Sequence, residues 1–149
     1  MKSKKIFPQT YFIIFLILSI GLHFIFPIKK IVFPPYTYLG YILIILGAIL
    51  NIWSDLLFKR KKTTVKPYEN SIELVTTGPF RISRHPMYLG MTAILLGVAI
   101  IHGTLITFIF PILFIIITEI LFIPYEEKGL ADSFGKEYLE YKKRVRRWL

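Results

Sequence analysis

Four stretches of the chain are apolar nearly all round: residues 10–27, 36–58, 86–101 and 104–124. A soluble helical bundle would show polar faces recurring at a period of 3.6, and these segments do not. Each therefore reads as a membrane span. A helix needs about 20 apolar residues to cross the hydrocarbon core, with roughly 17 as the lower limit. The third stretch is marginal by that measure. Only His102 and Gly103 separate it from the fourth, so the two are expected to form a tight helical hairpin at or just inside the far interface. The fold class that follows is an all-α membrane protein of about four spans, in one domain over residues 1–149, with a polar loop and an amphipathic C-terminal tail at one end.

Composition agrees with this pattern. Of the 149 residues, 54% are hydrophobic and mean hydropathy is positive, which is more than ordinary soluble domains show. Lys2, Lys4 and Lys5 ahead of an apolar run resemble a secretory signal. However, the run is long and no small-residue cleavage site follows Ile20, so a retained first span is expected.

Charge orients the spans. If the N-terminus is cytoplasmic, only Lys29 and Lys30 of the 19 Lys and Arg face outward. The others lie at the N-terminus, between Lys59 and Arg84, or between Lys128 and Arg147, as the positive-inside rule requires. The expected setting is a prokaryotic plasma membrane. The net charge of +10 clusters beside the spans, which favours anionic lipid headgroups over nucleic acid as the partner. No obligate protein partner is evident. With no cysteine, disulfides, thiolate metal sites and cysteine nucleophiles are excluded. His23, His85 and His102 are too scattered for a zinc site, so no metal is expected.

The polar information sits in the loop 59–85 and the tail 125–149. Gly78-Pro79 is turn chemistry, and Pro86 suits the first turn of the third helix, where its missing N–H costs nothing. That helix start, with Arg84 and His85 beside it, attracts anions such as a carboxylate; a basic, lipid-facing helix start is the plainer alternative. Glu126 and Glu127 follow the fourth span, where adjacent carboxylates need cations or donors. Nearby Lys and Arg would serve, and so would a ligand cation. A basic and an acidic site on one side match a zwitterion such as the methionine end of S-adenosylmethionine.

Arg84-His85-Pro86-Met87-Tyr88-Leu89-Gly90, a hydrophobic hairpin, Glu126-Glu127, and then Phe134-Gly135-Lys136-Glu137-Tyr138-Leu139-Glu140-Tyr141 together resemble the isoprenylcysteine carboxyl methyltransferase family and its phospholipid methyltransferase relatives. The resemblance runs from about Thr63 to Trp148. It implies an S-adenosylmethionine-dependent integral membrane methyltransferase, with Glu73, Leu74, Val75, Phe80, Arg84, His85, Pro86, Met87, Tyr88, Glu126 and Glu127 around the cofactor and a lipophilic substrate. The prenylcysteine enzymes carry an arginine four residues before the first Glu of the pair to meet the substrate carboxylate. This chain has Phe122 there, which points to another acceptor.

Glu119 lies one heptad before Glu126, hence on nearly the same helix face. Glu119 and Glu127 are the candidate bases for an amine acceptor. Asn51 and Asp55, four apart on the second span, are candidates for the substrate side; interhelical hydrogen bonds are the alternative for each. His23 reads as structural, and Gly40 with Gly47 and Gly90 with Gly97 read as close helix packing in lipid. Leu130, Phe134, Tyr138, Tyr141, Val145 and Trp148 recur at three and four, opposite Lys142, Lys143, Arg146 and Arg147. This predicts an amphipathic surface helix interrupted near Gly135. Two other functions fit less of the chain. A small transporter coupling through Glu119 would not need the motif-bearing loop and tail, and a nicotinamide-dependent sterol reductase would not account for the Glu pair.

The distribution of Lys and Arg predicts that tags on the two termini report the same, cytoplasmic, side. Accessibility labelling in intact cells and inverted vesicles checks this, and opposite sides would overturn the four-span reading.

Overall fold

The computed structural model describes residues 6–63 and 72–149; Lys2, Lys4, Lys5 and Lys66, counted above toward orientation, lie outside them. Among the described residues the chain is helical, without strands. Helix α1 is Pro8–Ile25, α2 is Tyr38–Arg60, α3 is Pro86–His102, α4 is Ile109–Ile117 and α5 is Ile123–Arg144. Three helical stretches are long and apolar enough to cross a membrane, and α3 is a shorter apolar helix of the same kind. This is an all-α membrane protein.

The expected spans are found within a few residues, with one correction. The fourth does not stop at Pro124. A single helical run, Leu105–Arg144, passes through it, by way of a π turn at Thr118–Phe122. A proline inside an α-helix removes one N–H and crowds the carbonyl four residues back; the widened turn directly before Pro124 absorbs both effects. From Leu105 to the break at Gly135 (φ 50°, ψ −119°) the helix is about 45 Å long at 1.5 Å per residue, against roughly 30 Å for the hydrocarbon core. Its apolar part is the span, and the charged remainder projects beyond it.

The small-residue faces read from the sequence hold α2 against α3. A Cβ built on Gly47 would stand 2.5 Å from the Gly90 carbonyl oxygen, and one on Gly97 2.5 Å from that of Gly40. The two antiparallel backbones are thus in contact at two places a heptad apart, as small residues permit in lipid. Helix α1 lies on the fourth span through aromatic pairs, Phe12 on Phe114, Phe15 on Phe110 and Tyr11 on Phe122, with ring centroids 6.2, 5.9 and 5.8 Å apart.

At the far end, Gly103 closes α3 in the left-handed region (φ 68°) that favours glycine. Its carbonyl accepts the Ile31 and Val32 N–H groups, which ties the α1–α2 connection to the hairpin. His23 Nδ1 lies 3.1 Å from the Thr104 hydroxyl, the structural role expected of it.

A methyl group added at Gly47 is therefore expected to lower stability by about 1–3 kcal/mol, the usual cost of overpacking. Gly21→Ala, where a Cβ meets nothing within 4 Å, is expected to have no such effect. Unfolding of both variants in mixed micelles checks the difference.

Candidate functional site

The loop before α3 and the start of α5 converge at the basic end of the bundle. Ser83 is fully buried, and its hydroxyl accepts the His85 N–H (3.1 Å) and donates to the Arg147 carbonyl (3.0 Å). His85 caps α3, Pro86 takes its first position, and the Leu89 N–H donates to the His85 carbonyl. The helix begins where Gly78-Pro79 and Pro86 predicted it would.

Glu127 is the centre of this end. Its side chain is 7% exposed, and it faces Arg84 Nη1 at 2.9 Å, Lys142 Nζ at 3.4 Å and His85 Nε2 at 3.6 Å. Arg147 grips both of its oxygens, Nε to Oε1 at 3.0 Å and Nη2 to Oε2 at 2.8 Å, the bidentate geometry that makes such pairs strong. Burial alone would raise the Glu127 pKa, but the nearby His85 imidazole, the Arg147 hydrogen bonds and the charge of Arg84 hold it well below the usual carboxylate range. Glu126, one residue earlier, lies 3.3 Å from His85 Nδ1 and accepts the Tyr88 hydroxyl. The Tyr88 ring stacks on the imidazole, with centroids 5.7 Å apart and planes 14° apart. Burial would lower the His85 pKa, but Glu126 and Glu127 outweigh it and the imidazole is raised above its ordinary value.

Two nitrogens here make no hydrogen bond among the described residues, although His85 Nε2 stands 3.6 Å from Glu127. Arg84 and His85 have side chains 8% and 6% exposed, yet Arg84 Nε and His85 Nε2 have no hydrogen-bond acceptor. Buried donors are normally satisfied, so this pair is suited to an acceptor from outside the chain.

The remaining residues singled out from the sequence divide. Leu74, Val75 and Phe80 form an adjoining apolar cluster with Tyr138 and Tyr141. The Tyr141 hydroxyl donates to the Phe80 carbonyl (2.6 Å), and Arg84 Nη1 donates to the Tyr138 hydroxyl (3.3 Å), joining this cluster to the charged one. Met87 is half-buried on the first turn of α3. Glu73 stands apart, exposed and paired with Lys61. Asp55 pairs along its own helix with Lys59 at 2.5 Å. The Asn51 amide donates to the Gly47 carbonyl and leaves a buried, unpartnered Oδ1. Phe122 is buried in the core with Tyr88, Met91 and Phe114.

Three corrections concern the tail. The π turn adds a residue, so Glu119 shares Arg147 with Glu127 rather than aligning with Glu126. Arg147, read as part of an outward basic face, turns in to Glu127 because the helix ends at Arg144 and Val145 is extended (φ −122°, ψ 130°); Lys142, read likewise, stays on the helix and exposed, with its Nζ 3.4 Å from the same carboxylate. The apolar face of α5 packs on the Leu74–Phe80 region, with Trp148 reaching the other cluster. The interruption expected near Gly135 is present, at φ 50° and ψ −119°.

The model of the phospholipid methyltransferase family matches residues 36–137, more than half of the chain and all of this site except the last residues. The chain belongs to the phospholipid methyltransferase family. Among its relatives, a probable protein-S-isoprenylcysteine O-methyltransferase of Oryza sativa subsp. indica is 30% identical over 117 residues, covering 73% of this chain and 58% of that protein. Protein-S-isoprenylcysteine O-methyltransferase B of Arabidopsis thaliana is 34% identical over 111 residues, covering 71% and 55%. An uncharacterized protein of Haemophilus influenzae is 40% identical over 63 residues, 42% of this chain and 100% of that protein. This family member spans a little over half the length of the named plant relatives it matches.

The two shifts define a pH window. A raised His85 pKa contributes stability that is complete below the ordinary imidazole value of 6.5 and lost as pH rises through the folded-state value. A lowered Glu127 pKa contributes stability that is complete above the ordinary 4.5 and lost as pH falls through its folded-state value. Thermal unfolding in detergent is therefore expected to peak between these ordinary values and to decline on the alkaline side. Glu126→Gln is expected to flatten the alkaline decline.

Proposed function

We propose that this chain transfers a methyl group from S-adenosylmethionine to a lipophilic acceptor at the cytoplasmic face of the membrane. The observation that carries the reading is the meeting of Arg84-His85 with Glu126-Glu127, His85 and Glu126 being 41 positions apart in sequence, with Arg84 Nε and His85 Nε2 lacking a hydrogen bond among the described residues. Buried basic nitrogens fit an α-carboxylate, and the half-buried Glu126 fits an α-ammonium, so the residues present suit the methionine end of the cofactor. Leu74, Val75, Phe80, Pro86, Met87 and Tyr88 supply apolar and aromatic surface beside these charges. Glu73, exposed and paired with Lys61, stands at the margin.

When bound, the cofactor supplies an electrophilic sulfonium methyl for in-line displacement. The protein's part is positioning and exclusion of water, and alignment can lower a barrier by several kcal/mol. Arg84 and His85 hold the anionic end and Tyr88 fixes the Glu126 carboxylate. Glu127, kept ionised by Arg84, His85 and Arg147, is a poor proton acceptor and serves as the fixed anion of the site. Glu119, the other candidate base for an amine acceptor, is likewise held, by Arg147 and the Trp148 indole. Phe122, packed against Tyr11, offers no cation to an acceptor carboxylate. Exposed Lys128, Lys136, Lys143, Arg144 and Arg146 suit anionic headgroups beside the site.

Incubating the purified protein with methyl-labelled S-adenosylmethionine and membrane extracts, then identifying the labelled product, tests the activity and distinguishes carboxyl from amine methylation. His85→Ala and Glu126→Gln are each expected to weaken cofactor binding by about tenfold to a hundredfold, the loss of one charged hydrogen bond. Calorimetry on folded variants measures this. Affinity unchanged in both sinks the assignment.

A further inference from the structure

Residues 145–149 leave the helical path at Val145 and cross the charged site between the two elements that build it. On one side the Arg84 N–H donates to the Arg146 carbonyl (3.0 Å) and the Ser83 hydroxyl to the Arg147 carbonyl (3.0 Å). On the other, the Arg147 guanidinium joins Glu127 to Glu119, and the Trp148 indole N–H donates to Glu119 (3.0 Å). The Trp148 ring rests on the cluster that holds Tyr88 and Phe122.

We infer that this segment is a latch over the charged site, with Arg147 as its bolt, and that it opens to admit the methyl donor. The inference rests on the cofactor reading above. Three observations support it. Glu127 and His85 are almost wholly covered in the latched state, so a ligand of nucleoside size reaches them only if something moves. Apart from Val145 and Trp148, which pack on the two apolar clusters, this segment is fastened by hydrogen bonds and ion pairs, which are remade with water when it lifts. Finally, Arg147 is one-third exposed, so its ion pairs are open to competition by water and salt. A guanidinium on the carboxylates also keeps the site neutralised until a cationic ligand enters.

The chain has no cysteine, so Ile82→Cys and Leu149→Cys, both exposed positions, accept a unique pair of spin labels. The labelled protein is expected to give one short distance in low salt. A longer population should appear in Arg147→Gln and, without that substitution, on raising salt to about 1 M, where screening reaches about 3 Å. Stopped-flow association of S-adenosylhomocysteine is expected to quicken by about tenfold in Arg147→Gln, as for loss of one charge-assisted hydrogen bond. Distances unchanged by both salt and substitution overturn the latch. So does a lengthened distance with an unchanged association rate. Absence of S-adenosylhomocysteine binding to either protein counts against the cofactor reading, and the distances alone then decide whether the latch opens.

Discussion

A carboxylate taken out of water stays charged only where opposite charge is brought to it. Glu127 is such a group, and its partners come from three separate parts of the chain. Arg84 and His85 precede α3, Lys142 belongs to α5, and Arg147 follows it. Removing any one leaves the others holding a less compensated charge, so the loop, the long helix and the tail depend on one another at this point. The adjoining apolar cluster of Leu74, Phe80, Tyr138 and Tyr141 gives the same three-way junction its dry side. The Arg84–Tyr138 hydrogen bond links the two.

The junction needs a fixed platform, and the spans provide it. Gly40 and Gly47 on α2 meet Gly97 and Gly90 on α3, at a separation that admits little relative rotation without backbone collision. Because α3 begins at the site and ends at Gly103, where the α1–α2 connection is anchored, the position of His85 is fixed from both ends of the helix. Apolar residues of α1 and α2 such as Ile17, Phe24, Ile45 and Ile52 remain outward, as suits lipid contact. Intramembrane packing thus sets the geometry, and charge completes it.

Much of this was legible in the sequence because it rests on local rules. Apolar runs fixed the spans, Pro86 fixed the start of α3, glycine spacing fixed the α2–α3 face, and Arg84, His85, Glu126 and Glu127 stood out as charges close to lipid. What escaped depends on geometry that residue spacing does not encode. Nothing in Thr118-Glu119-Ile120-Leu121-Phe122 announces a π turn except Pro124 just beyond it. The extended Val145 breaks the helical periodicity that places Arg147 and Trp148 in the sequence pattern. The one available signal was arithmetic: a buried Glu127 needs more cations than its own helix can turn toward it.

The π turn makes length the guarded quantity in the fourth span. Each residue in an α-helix advances the rotation by about 100°, so deleting a single residue between Glu119 and Glu127 would swing every charged group beyond it to a different side of the axis. Substitution of one aliphatic residue by another in that stretch leaves the rotation intact. Insertions and deletions are ordinarily absorbed by loops, but no loop separates the spanning half of this helix from its charged half. Over evolutionary change this stretch should therefore tolerate altered spelling and resist altered count.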